Sequence, residues 1–284
     1  QPSTSSQPSS EPSSEPSTFC ESLCSSIRPA VEVSGNDFRN LVSSCLSRGI
    51  CEPGLPMNCW DVSSVKDMSN SFHGQQSFND PLSCWDTSGV TSMYYMFHQA
   101  SAFNQAINSW DTSSVTSMNY MFNEASVFNR PIDSWNTSSV ATLFRTFRHA
   151  SAFNQPIDSW NTSSVASMAW TFNGASTFNH PINSWDTSSV ASMRDIFSYA
   201  YAFNQPIDSW DTSSVTNIGY MFLGAHAYNP SERSSQPSSS SQPSSQPSSQ
   251  PSTICDSAAC MLRFIMLMLS TNQLIHGILQ VSKT

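Results

Sequence analysis

The chain has 284 residues, only 11% of them charged, with a formal net charge of −9. It lacks the basic footprint that binding to a phosphate backbone requires, so nucleic acid is excluded as an expected partner. The acidic, Ser/Thr-rich composition fits a soluble extracellular protein, although solubility alone explains it equally well, and the chain opens on Gln1 rather than Met, as a processed form or a fragment would.

Residues 1–18 (QPSTSSQPSSEPSSEPST) and 231–253 are Ser/Pro-rich spacers. Such stretches bury too little apolar surface to offset chain entropy, which predicts disorder. Residues 19–56 form a predicted Cys-rich N-terminal cap. Within it Phe38, Leu41, Val42, Cys45 and Leu46 fall on one helix face, with Asn36 or Asp37 as the capping residue and Gly49 past the end. Eight cysteines, Cys20, Cys24, Cys45, Cys51, Cys59, Cys84, Cys255 and Cys260, cluster at the flanks. Paired CxxC spacings are missing, so disulfides in an oxidising compartment are expected rather than metal. The first four fit stapling of the cap, with three pairings open.

From 57 to 230 one unit repeats. Trp60, Trp85, Trp110, Trp135, Trp160, Trp185 and Trp210 are each 25 residues apart. With Trp as position 1, position 6 is always Val, position 9 Met, Leu or Ile, and position 13 always Phe. Position 16 is Ala in six copies, and position 19 is Phe in six. A fixed period of this size signals stacked supersecondary units whose regular apolar columns form the core. Steps of three or four predict a helical or 3₁₀ turn, and the F-N-x-P-I stretch predicts a short strand limited by Pro. The expected fold is therefore a leucine-rich-repeat-like solenoid. Each of its seven rungs would carry a short parallel β-strand plus a helical or 3₁₀ turn, behind a helical cap.

Position 20 is always Asn (Asn79, Asn104, Asn129, Asn154, Asn179, Asn204, Asn229), a column expected to bond the backbone of neighbouring rungs. Position 2 is Asp or Asn, followed by Thr/Val-Ser, which predicts turn capping in preference to calcium binding. Asn136-Thr137-Ser138 and Asn161-Thr162-Ser163 also fit the N-glycosylation pattern, although ordinary turn chemistry explains them too. Cys59 and Cys84 share a column in adjacent rungs and are expected to pair with each other. His73 and His98 share another; with no third recurring ligand they read as surface histidines, and no metal or other cofactor is predicted.

No nucleophile–base set, phosphate loop or unique carboxylate pair stands out, so the chain is not expected to be an enzyme. Residues 254–284 carry an apolar run, Met261–Leu269, too short to span a bilayer. An amphipathic helix or docking piece is expected there, with membrane association left open.

The stretches WDVSSVKDMSNSF (60–72), FND (78–80) and WDTSSVTSMNYMF (110–122), preceded by DFRNLVSSCL, resemble the BspA-like leucine-rich repeat family. Within it they are most similar to the variant first catalogued as a mycoplasma lipoprotein repeat of unknown function. The resemblance covers residues 36–230. It implies a leucine-rich-repeat-like solenoid, exposed at a cell surface or secreted, associated with adhesion or protein–protein contact and usually without enzymatic activity. No lipobox accompanies it, so no lipid anchor is carried over.

Specificity is expected where the copies disagree, at positions 10, 11, 14, 15, 17 and 18; examples are Tyr94, Tyr95, Arg145, Arg148, Trp170, Arg194 and Tyr199. The leading expectation is an extracellular interaction or adhesion module for proteins or glycans at a cell surface, and two alternatives compete with it. The Thr87, Thr112, Thr137, Thr162, Thr187 and Thr212 column, with the Ser columns beside it, could present hydroxyls to ice or a mineral, if they faced outward. A surface hydrolase is the other.

Overall fold

The computed structural model describes residues 20, 24, 28–48, 51 and 56–229. The expected tails at 1–18 and 231–253, the segment 254–284, and parts of the cap including Gly49 lie outside the described residues.

Helix α1 (Asn36–Arg48) places Asp37 in its first turn and Arg48 in its last, charges that suit the helix dipole at both ends. Phe38, Val42 and Cys45 form its buried face, and the Phe38 ring meets Trp85 edge-on at 5.8 Å. The first helical bond runs from Arg39 N–H to the Gly35 carbonyl, so Gly35 holds the capping position expected of Asn36 or Asp37. Before α1 the chain runs alongside the first repeat. Asp61 N–H donates to Pro29 O at 2.9 Å, Val31 N–H to Asp61 O at 2.8 Å, and Gly35 N–H to Asp67 O at 2.7 Å. A short 3₁₀ helix, Met57–Cys59, leads into Trp60.

The seven copies stack in register, yet they do not build the expected strand-plus-helix solenoid. Among the described residues there is one α-helix, one 3₁₀ helix and no strand. Strand-like pairing between copies is confined to isolated parallel bridges at position 8, such as Ser92↔Ser117 and Ser167↔Ser192. The destination of the backbone N–H groups explains the difference. Those of Met93, Tyr95, Phe97 and Gln99 donate to Ser117, Asn119, Met121 and Asn123 carbonyls in the next copy at 2.8–3.0 Å. From Met96 on, the alternate N–H groups, those of Met96, His98 and Ala100, turn back to Met93, Tyr95 and Phe97 carbonyls in their own copy at 3.0–3.2 Å. Every second residue thus closes a turn, and the ribbon can extend neither as a strand nor as a helix. The F-N-x-P-I stretch is likewise no strand.

This ribbon requires left-handed backbone at two positions. Position 11 has φ between 55° and 63° in all seven copies, and position 15 between 55° and 74°. Three copies have Gly at position 15. A Cβ at Gly174 would strike the His149 ring and one at Gly224 the Tyr199 ring, so glycine follows a bulky neighbour in the same column.

The core is built from the regular columns. Phe122 lies 4.1 Å from Phe128 in its own copy and 5.7 and 5.6 Å from Phe97 and Phe147 in the adjacent ones, all near-parallel. Such ring pairs contribute about 0.5–1.5 kcal/mol each beyond their area burial. The buried indoles are also satisfied: Trp110, Trp135, Trp160, Trp185 and Trp210 each donate Nε1–H to a position-23 carbonyl of the preceding copy at 3.0 Å. Trp60 has no preceding copy, and its Nε1 is buried without a hydrogen-bond partner.

Disulfides fasten the N-terminal residues to this stack. Cys20 pairs with Cys84 and Cys24 with Cys59, while Cys45 pairs with Cys51. The expected Cys59–Cys84 bond is therefore not formed. Asn58, next to Cys59, accepts the Cys84 N–H on its Oδ1 at 3.0 Å and donates its amide to Cys84 Sγ at 3.4 Å. The cap is stapled onto the first two copies instead of within itself alone.

Candidate functional site

Most polar columns are occupied with holding the stack together. In the Asn column, each side-chain oxygen accepts the backbone N–H of the Asn 25 residues on; Asn79 to Asn104 is 2.8 Å, Asn129 to Asn154 2.9 Å and Asn204 to Asn229 3.2 Å. These residues are exposed or half-buried, not core, so the column is a ladder on the outside. At position 2 the Asp or Asn side chain accepts the backbone N–H two residues on in every copy, from Asp61–Ser63 to Asp211–Ser213.

The Thr column, one part of the ice- or mineral-binding alternative, does not face outward. Thr87, Thr112, Thr137, Thr162 and Thr187 are at most 2% exposed. Each donates its hydroxyl to the position-2 carbonyl of the next copy at 2.8–2.9 Å. A buried hydroxyl that donates within the stack cannot present a lattice to ice. Position 17 is engaged too, since Ser101, Ser126, Ser151 and Ser176 donate to carbonyls of the preceding copy.

Positions 10, 11, 14 and 15 are different. Across the second to fifth copies they gather one continuous stripe. Tyr95 and Tyr120 stack at 4.2 Å, and Tyr94 meets Tyr95 edge-on at 4.3 Å while remaining 38% exposed. The Arg145 guanidinium sits among three rings, 5.3 Å from Tyr120, 5.1 Å from Phe144 and 5.0 Å from Trp170. It donates to the Tyr120 hydroxyl at 3.1 Å, its Nε is buried without a partner, and no carboxylate pairs with it among the described residues. Burial, then hydrogen bonding with Tyr120 and Tyr94, pushes the Tyr95 phenol well above its ordinary value, so it stays protonated.

Beside this stripe runs a polar network. Arg148 reaches Glu124 at 3.2 Å, Gln99 donates to the other Glu124 oxygen at 3.0 Å, and Asn123 bonds His98 at 2.9 Å. Arg148 also lies 5.9 Å from the Trp170 ring. The stripe therefore unites Tyr94, Tyr95, Arg145, Arg148 and Trp170. Arg194 and Tyr199 lie apart from it: Arg194 pairs with Asp195 at 3.0 Å and faces Tyr220 at 5.8 Å, and Tyr199 meets Tyr201 edge-on at 6.3 Å. Sequence reasoning did not single out Tyr120, Phe144, Gln99 or Glu124, although all four occupy its variable positions.

His73 and His98 approach to 4.7 Å, and burial followed by the charges of His98 and Arg39 lowers the His73 pKa. Among the described residues, no group of three His, Cys, Asp or Glu side chains could hold a metal ion. No helix among them is long and apolar enough to cross a membrane.

A family model described as Mycoplasma protein of unknown function, DUF285, matches residues 51–158 and again residues 129–235. Together the two matches cover more than half of the chain. The chain belongs to the DUF285 family. No curated protein and no solved structure matches it.

Within the DUF285 copies, positions 11 and 15 share the same left-handed conformation, which costs a residue with a side chain roughly 1–2 kcal/mol. Position 15 relieves that strain with Gly in three copies. Position 11 never does: it holds Asn70, Tyr95, Tyr120, Arg145, Trp170, Asp195 and Tyr220. Asn70 and Asp195 tolerate that conformation, whereas the Tyr, Arg and Trp residues in the other five copies hold it against backbone preference.

Proposed function

We propose that this DUF285 protein is a non-enzymatic, extracellular or cell-surface module that binds a protein partner through the stripe of Tyr94, Tyr95, Tyr120, Arg145 and Trp170. The observation that carries this reading is the retention of aromatic and Arg side chains in left-handed backbone at position 11. Tyr, Trp and Arg are the residues that most often dominate protein–protein binding energy. Tyr95 and Tyr120 use ring faces on each other, which leaves less face for stacking on a sugar and favours a protein partner over a glycan. Arg145, without a carboxylate of its own, suits an acidic side chain of that partner. Three disulfides fit an oxidising compartment. The resemblance to BspA-like surface proteins, whose members are associated with adhesion, points the same way.

The test is a binding screen of the whole chain against panels of extracellular proteins and glycans, followed by Tyr120→Ala, Arg145→Ala and Trp170→Ala. Each variant should weaken binding at least about tenfold, the loss expected of an interface hot spot. Binding that survives all three unchanged, or hits confined to glycans, would sink the proposal.

A further inference from the structure

Position 2 poses a chemical question that stacking does not answer. In all seven copies its side-chain oxygen accepts the N–H of the Ser two residues on, at 2.8–3.1 Å. A carboxylate does this at least as well as an amide, because its charge strengthens the bond. Five copies use Asp. The carboxyls of Asp186 and Asp211 are held below their ordinary value by the hydroxyls of Ser188 and Ser213 and then by the same residues' N–H groups.

The fourth and fifth copies have Asn136 and Asn161 instead. What an amide adds is the Nδ2 group. Both residues are exposed, and only their Oδ1 atoms bond to the turn. Each lies two residues before a Ser whose hydroxyl donates to that Oδ1 at 2.7 Å, and the residue between is Thr, not Pro. These are also the chain's two Asn-x-Ser/Thr triplets without Pro at the middle position.

We propose that Asn136 and Asn161 are acceptors for N-linked oligosaccharide, carried side by side on adjacent copies of the stack. This inference rests on the extracellular reading above, since the transfer takes place in a secretory compartment. The co-reactant is an oligosaccharide linked through diphosphate to a polyprenyl lipid, handled by the cell's transferase. Asn Nδ2 attacks the sugar C1, and a C1–N bond forms. The bond from C1 to the diphosphate oxygen breaks, and its electron pair leaves with the lipid diphosphate. One amide proton passes to a base of the transferase. A carboxylate has no such nitrogen, so Asp111 and Asp186, in the neighbouring copies, are controls built into the same chain. After transfer Oδ1 still accepts the Ser N–H, so the turn and the stack are retained.

The experiment takes the full chain from its natural source and records its intact mass and peptide map before and after an amide-cleaving N-glycosidase. The expected result is sugar mass released by the enzyme, with Asp left in place of Asn at 136 and 161. Chain recovered outside the cell with both amides unmodified overturns the proposal and leaves the extracellular reading standing. Recovery from the cytosol overturns both. The N136D/N161D double variant should lose the sugar while its unfolding midpoint and its partner binding stay unchanged; sugar mass retained by that variant overturns the assignment.

Discussion

The Thr137 hydroxyl donates to the Asn161 carbonyl at 2.9 Å, so a buried side chain of one copy fixes the turn that opens the next. Thr137→Val keeps the shape and removes the donor, and should lower stability by about 1 kcal/mol. Thr212 makes no such bond among the described residues and is half-buried. Thr212→Val should therefore stay within roughly 0.5 kcal/mol of the parent. Denaturant midpoints compare the two, and equal losses would contradict the interlock.

Tyr220 separates backbone strain from side-chain contact. It is 62% exposed with φ 59°, and its ring faces only Arg194 among the cations, at 5.8 Å. At an ordinary site Gly is less stabilising than Ala. Here Tyr220→Gly should exceed Tyr220→Ala by about 1 kcal/mol, since only Gly is free of the left-handed penalty. Calorimetric unfolding of both variants measures the order, and Ala ranking above Gly would remove the strain argument.

The disulfide map is directly checkable. Non-reducing peptide mapping should recover Cys20 with Cys84, Cys24 with Cys59 and Cys45 with Cys51. A Cys59–Cys84 peptide would contradict it. Removing Cys20–Cys84, a link across 64 residues of sequence, should cost about 2–4 kcal/mol. Removing Cys45–Cys51, separated by 6, should cost less, because it closes a far shorter loop.

Acid should weaken the stack in two stages. Burial lowers the His149 pKa, Arg148 lowers it further, and Glu124 opposes them; His73 is lowered by burial, then by His98 and Arg39. The unfolded chain then binds these protons first, so stability is full above the ordinary value of 6.5 and falls below it. For Glu124, partial burial opposes ionisation, but the Gln99 hydrogen bond and the charges of His98, Arg148 and His149 outweigh it and hold its pKa down. Its contribution is full above the ordinary value of 4.5 and is lost as pH falls further. Melting temperature followed from about pH 8 to about pH 3 should show both declines. Glu124→Gln should flatten the lower one and His149→Gln the upper; unchanged profiles in both variants would refute the assignment.

The repeat, its register and its buried columns were legible in the sequence, because burial selects apolar residues at every period and leaves the same mark seven times. The turn-capping role of Asp61 and its equivalents was legible too, since an Asx turn spans only two residues. The backbone path was not. Periodicity of three or four cannot tell a helix from a ribbon of turns in which alternate N–H groups leave for the next copy. Nor could it reveal that position 11 is left-handed, because Tyr, Arg and Trp give no signal for that conformation.

By itself the sequence determined that this DUF285 chain is a stack of repeated units with Trp, Val, Phe and Ile inside. Local spacing and hydrophobicity suffice for that. Tertiary structure decided the rest: Thr137 turned inward, Cys59 joined to Cys24 instead of Cys84, and Arg145 set among Tyr120, Phe144 and Trp170. Apart from the contact of Arg145 with its neighbour Phe144, these depend on bonds or contacts between groups far apart in sequence, most of them about one period apart, and those contacts exist only once the copies have stacked.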